Sequence, residues 1–117
     1  MSKYYDKKGS PISLVTWQQL FENKSYQIIK QTHIESGPLE GGMISTVWLG
    51  LDHRYGHTNG LPLIFETMVL NKKYEDLECS RASTEEEALM DHEDYSRRYI
   101  LSNTNKPTSR WKNLEIE

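Results

Sequence analysis

Two strand-like runs close together in the chain, residues 44–51 and 61–70, constrain the fold more than any other feature of these 117 residues. In the first, Ser45, Val47, Leu49 and Leu51 alternate with Ile44, Thr46, Trp48 and Gly50. In the second, Leu61, Leu63, Phe65, Thr67 and Val69 alternate with Ile64, Glu66, Met68 and Leu70. A period of two in β-branched and aromatic residues is the signature of strands. Antiparallel pairing, with residues 52–60 as the connection, puts Val47, Leu49, Leu51, Leu61, Leu63 and Phe65 on one apolar face. That face is expected to lie against helices, with Thr46, Trp48, Ile64, Glu66 and Met68 on the other. A slip of one residue would exchange the faces of one strand relative to the other.

Helices are expected on either side of this pair. Ser13 is a good N-cap, and Leu14, Trp17, Leu20 and Phe21 follow at helical spacing, ending near Asn23. Ser83 or Thr84 caps a second helix that runs to about Leu101. Both open a capping-box pattern, and Glu85, Glu86 and Glu87 suit the positive end of the helix dipole. Ala88, Leu89, His92, Tyr95 and Tyr99 form its apolar stripe. Upstream, Lys3, Tyr4 and Tyr5 read as a short strand, Asp6 to Gly9 as a turn, and Ser10-Pro11-Ile12 as extended chain. Residues 25–34 read as a strand of mixed polarity, and residues 71–80 as a polar connection. The order is β-α-β-β-β-α, an α+β fold. A small antiparallel sheet of three main strands, plus the short N-terminal strand, carries two helices on one face. Residues 1–101 are expected to form one domain. The polar tail 102–117 is expected to be disordered or to pack through Trp111.

The net charge of −3 gives no global argument for nucleic acid, but it is unevenly spread. Residues 75–94 hold nine acids and one base, and residues 96–112 hold five bases and no acid. The acidic segment is either a solvated helix face or a face that docks a basic partner through Glu85, Glu86 and Glu87. The single Cys79 excludes an intramolecular disulfide and suits a reducing compartment. Its acidic neighbours oppose thiolate formation. The N-terminus lacks an apolar signal core and no run is long enough to span a membrane, so a cytoplasmic protein is expected.

The chemically richest segment is the loop with Asp52, His53, Arg54 and His57, near Glu66 and Thr46 on the strands. His53 and His57 are four apart, a spacing that converges on one metal ion only on a helix. Gly56, Asn59 and Gly60 argue for a loop, so neither a metal nor another cofactor is expected. Asp52 and His53 are adjacent on an extended chain and point apart, which makes Asp52 a poor orienter of the imidazole. Glu66, in mid-strand, needs a partner, either across the strand at Thr46 or on a basic residue such as Arg54. His92 is expected to be a hydrogen-bonded core or boundary residue. No complete catalytic set appears, so no catalytic residue is assigned.

Several motifs together resemble a family of short proteins encoded by tailed phages and prophages. They are Asp6-x-x-Gly9-x-Pro11-Ile12, Trp17, Ser45-Thr46-Val47-Trp48-Leu49-Gly50-Leu51-Asp52-His53, Pro62-x-x-Phe65-Glu66-Thr67-Met68-Val69 and Thr84-Glu85-x-Glu87-Ala88-Leu89-x-x-His92. The likeness spans residues 3–95. That family has no established activity, so the resemblance implies a setting, a phage accessory protein in the bacterial cytosol, rather than a chemistry.

Three functions fit these features. The first is a non-catalytic module that binds a host or phage protein. The second is a small enzyme or ligand-binding protein using Asp52, His53, His57 and Glu66. The third is a nucleic-acid binder. The α-β-β-β-α core order matches double-stranded RNA-binding domains, but Glu85, Glu86 and Glu87 stand where those domains place phosphate-gripping lysines. Nucleic acid is therefore disfavoured, and the first reading is preferred.

Overall fold

A computed structural model describes residues 3–52 and 61–101. His53, Arg54, His57 and the tail with Trp111 lie outside the described residues. The chain begins with a two-stranded hairpin, β1 (Tyr4–Tyr5) and β2 (Pro11–Ile12). Its turn is closed by Asp6, whose Oδ1 accepts from the backbone N–H groups of Lys8 and Ser10. Helix α1 (Leu14–Glu22) starts at Ser13, whose hydroxyl accepts from Thr16 N at 3.1 Å. Asn23 then ends α1 and caps a single turn, α2 (Lys24–Gln27), so the expected strand 25–34 shortens to β3 (Ile28–His33).

Strands β3, β4 (Met43–Trp48), β5 (Phe65–Leu70) and β6 (Asp76–Ala82) form an antiparallel sheet in that order. Helix α3 (Glu85–Ser96) crosses all four strands and continues into a π-helical turn, Arg97–Leu101. Among the described residues the fold is thus α+β with an antiparallel sheet. Phe21 of α1 packs on Trp48 from the same side as Ala88 of α3, so both helices cover one face.

Two expectations are corrected. The first concerns register. The expected pairing sets Val47 opposite Phe65, whereas the structure pairs Trp48 with Phe65, Thr46 with Thr67 and Ile44 with Val69. This is the one-residue slip, and it turns Ile44, Thr46 and Trp48 toward the helices and Val47 away. Physically, the slip buries Trp48 completely in place of the smaller Val47. The indole N–H is satisfied by the Tyr5 carbonyl at 3.1 Å. The strands also stop short of the loop. Gly50 has φ +73°, and the Leu49 and Gly50 N–H groups both donate to the Ile64 carbonyl, ending the alternation.

The second correction concerns residues 71–80, which contain most of β6 rather than only a connection. The strand is polar because it is an edge: only Ala82 is buried, and charge on an edge strand discourages pairing with other chains. Its hairpin is shaped by Asn71, whose Oδ1 accepts from Lys73 N and Glu75 N, with Tyr74 at φ +64°.

Two apolar clusters fill the helix side. One joins Trp48, Ile64, Phe65, Ala82 and Ala88 to Trp17, Leu20 and Phe21 of α1. The other joins Ile34, Ile44, Val69 and Tyr95 to Leu39, Tyr99 and Ile100.

Candidate functional site

Between the two apolar clusters lies a buried polar rung. Thr46 and Thr67 are cross-strand partners on β4 and β5, and His92 descends on them from α3; all three are essentially without solvent exposure. His92 Nε2 lies 2.8 Å from Thr32 Oγ1 on β3, and Nδ1 lies 2.7 Å from Thr46 Oγ1. Thr46 Oγ1 is 2.7 Å from Thr67 Oγ1, which donates to the Ala88 carbonyl of α3 at 3.3 Å.

Counting hydrogens fixes the direction of this chain. Each hydroxyl has one proton to give. Thr67 gives its proton to Ala88, so Thr46 must donate to Thr67. Nδ1–H of His92 must then donate to Thr46, and Nε2 must accept from Thr32. A neutral imidazole protonated at Nδ1 therefore satisfies every group in the rung. Burial pushes the His92 pKa below its usual value, Lys30 on β3 adds to that, and Glu93 opposes it. The rung clasps α3 to three strands. It is an inward, fully satisfied structure, in keeping with the expectation of a hydrogen-bonded core histidine.

The residues singled out in the sequence do not converge. Thr46 is buried under α3, whereas Glu66 lies on the opposite face of the sheet, so they are not cross-strand partners. Glu66 pairs instead with Arg81 of β6 at 2.9 Å, its register partner, and also accepts from Cys79 Sγ at 3.2 Å. Partial burial, then the carboxylate of Glu66, pushes the Cys79 thiol up to about 11, so the sulfur stays protonated near neutrality. Asp52 accepts from Leu63 N at 3.2 Å, fixing the chain as it re-enters the sheet. Among the described residues no group of three or more His, Cys, Asp or Glu side chains is placed to hold a metal ion.

Glu85, Glu86 and Glu87 form the first turn of α3 and are exposed. They fan around the axis rather than forming one face. Thr84 is the N-cap, accepting from Glu87 N, while the Glu87 carboxylate turns back to Ser83 N at 3.3 Å. The outward surface of α3 lies farther along the helix. Glu86, Leu89, Met90, Glu93, Asp94 and Arg97 line a shallow groove there, with Leu89 37% and Met90 62% exposed. Asp94 is paired with Arg97. Beside the groove, partial burial raises the Asp91 pKa, and the charges of Asp94 and Glu87 add to it.

Leu89, expected in the core stripe, is thus turned outward, and Met90 was not singled out in the sequence. The signal for Met90 is angular, whereas Leu89 flanks the buried row, one residue after Ala88 and three before His92, and its angle gives none. With Ala88, His92 and Tyr95 as the buried row, Glu86, Met90, Glu93 and Arg97 fall on the opposite side of the helix. No family model, curated protein or solved structure matches the chain.

Proposed function

We propose that this chain is a small non-catalytic protein-binding module that engages its partner through the outward surface of α3. The observation that carries this reading is the exposed pair Leu89 and Met90 set among Glu86, Asp91, Glu93 and Asp94. An apolar centre with an acidic rim matches a basic amphipathic segment. Such a segment would bury the two side chains and relieve the carboxylate crowding. The opposite placement of Thr46 and Glu66, and the structural pairing of Glu66 with Arg81, further support binding over catalysis. The setting we propose is that of a phage or prophage accessory protein in the bacterial cytosol, with a host or phage protein as partner. This extends the motif resemblance.

The test is affinity capture from nuclease-treated bacterial lysate with the tagged protein and a Glu86→Lys/Glu93→Lys variant of unchanged melting temperature. One protein retained near stoichiometry by the parent and lost by the variant is the expected result. Equal retention by both would refute the assignment of the surface.

A further inference from the structure

We infer that the chain's own C-terminal segment, residues 102–112, docks along the outward surface of α3 and covers Leu89 and Met90. The segment lies outside the described residues, but the structure fixes where it starts. The π-helical turn Arg97–Leu101 continues α3 and is tied to the body of the fold. Arg98 reaches Glu78 of β6 at 2.9 Å, and Tyr99 and Ile100 pack on the second apolar cluster. Residue 102 therefore begins about one turn beyond Arg97, which lines the near end of the groove on α3. From Leu101 back to Met90 is about 17 Å along the helix, at ~1.5 Å per residue. Residues 102–111 extend to about 33 Å at ~3.3 Å each. Three of them spent on reversing direction leave about 23 Å, so Trp111 reaches Leu89 and Met90 with chain to spare.

Charge selects this occupant. The groove sets Leu89, 37% exposed, and Met90, 62% exposed, among Glu86, Glu93 and the Asp94–Arg97 pair. Residues 102–112 hold Lys106, Arg110 and Lys112 and no acid, and Trp111 stands between the last two bases. An aromatic anchor flanked by cations is the converse of an apolar pair flanked by carboxylates. Running antiparallel to α3, the segment brings Lys106 toward Glu93 and Asp94, and Arg110 and Lys112 toward Glu86. Exposed ion pairs contribute little, so Trp111 on Leu89 and Met90 supplies the affinity and the charges supply the register. Other exposed apolar groups lack this match. Leu14 and Val15 belong to α1, whose one charge is Glu22, and Tyr74 stands beside Lys72 and Lys73. Leu77 neighbours Glu78, which Arg98 already engages.

The consequence for binding rests on the reading of α3 as the partner surface: the segment occupies that surface and must leave before a partner enters. A tethered segment faces the groove at roughly millimolar effective concentration. A contact of ~0.1 mM intrinsic strength then closes about nine chains in ten, and opening raises the affinity for a competing ligand about tenfold.

The experiment places a nitroxide label at Ser109→Cys in the full chain carrying Cys79→Ser, and records the paramagnetic broadening of its amide signals. Broadening is expected over residues 86–97, centred on Leu89 and Met90, with its loss on Trp111→Ala or Glu86→Lys/Glu93→Lys. Should the charge-reversed protein fail to fold, Trp111→Ala decides. A second arm titrates a peptide of residues 102–112 into isotope-labelled protein. It should bind at Leu89 and Met90 about tenfold more tightly to the Trp111→Ala chain than to the unmodified chain. Absent broadening, broadening centred on Val47 and Met68, broadening that survives Trp111→Ala, or equal peptide affinity for the two chains overturns the proposal. So does equal broadening of isotope-labelled chains that lack the nitroxide and are mixed with labelled ones, because a second copy would then donate the segment. Neither arm involves a partner. Lysate capture that fails while the segment docks refutes only the partner surface, and capture that succeeds while the segment does not dock refutes only the docking.

Discussion

Replacing His92 by Leu removes the clasp of the buried rung but keeps an apolar side chain of similar reach. Two hydroxyls, Thr32 Oγ1 and Thr46 Oγ1, then lose the ring nitrogens 2.8 and 2.7 Å away. Thr46 keeps Thr67 as its acceptor and Thr32 is only half-buried, so the loss is that of about one buried partner, roughly 1–3 kcal/mol. That is an appreciable part of the ~5–15 kcal/mol that holds a domain of this kind together. Thr46→Val alone should cost about 1–3 kcal/mol, because it strands the Nδ1–H of His92. The double variant removes donor and acceptor together. Its cost should therefore fall short of the sum of the singles by at least ~1 kcal/mol.

The same rung gives a pH dependence. The folded state holds His92 neutral with its pKa lowered, while the unfolded chain takes up a proton near the ordinary value of about 6.5. The unfolded state binds more protons below that pH, so the His92 contribution is complete above it. It is lost progressively as the pH falls toward the folded-state pKa. Urea titrations of the four proteins of the cycle, from neutral to mildly acidic pH, measure both effects. A coupling below about 0.5 kcal/mol would refute the rung as a cooperative unit, since neighbours in one network couple by more. Acidification that penalises the His92→Leu protein as much as the parent would contradict a role for His92 in the pH dependence.

Two further substitutions test backbone features. Tyr74 sits at φ +64° in the β5–β6 hairpin with its side chain 67% exposed, so Tyr74→Gly relieves a left-handed residue and loses little packing. A net stabilisation of about 0.5–1 kcal/mol is expected by urea denaturation, and destabilisation would contradict the strain. Gly50 is the opposite case. At φ +73° its added Cβ would stand 2.5 Å from Trp48 Cζ2 and 2.7 Å from Trp17, so Gly50→Ala should cost about 2–5 kcal/mol. A loss under about 1 kcal/mol would show that the Trp17–Trp48 packing is not what the structure describes.

Much of the fold is legible in the sequence because local chemistry marks it. Ser13 and Thr84 cap the helices, Asp6 closes the first turn, and the strands around Trp48 and Phe65 stand out by period. What is not legible is register. Residues 44–51 are apolar at both parities, so alternation alone does not decide between Val47 and Trp48 as the inward residue. The decision rests on the room that α1 and α3 leave for an indole and on a carbonyl of Tyr5 far away in sequence. Strand β6 hides because an edge needs backbone partners on one side only, and its side chains carry no core pattern. The buried rung fails for the same reason as the register. Thr32, Thr46 and Thr67 come from three strands, and only the correct pairing sets them under His92. Glu66 is instructive in the other direction. Its need for a partner is legible, but that partner, Arg81, lies on the strand that the sequence conceals.

The central claim is that the outward surface of α3 binds another protein. The most direct measurement is photo-crosslinking in bacterial cells with a benzophenone side chain at Met90, compared with one at the equally exposed Val15 of α1, 62% in each case. The account predicts one dominant crosslinked protein at position 90, absent at position 15 and suppressed by Glu86→Lys/Glu93→Lys. The same crosslinks at both positions, or none at position 90, would contradict it.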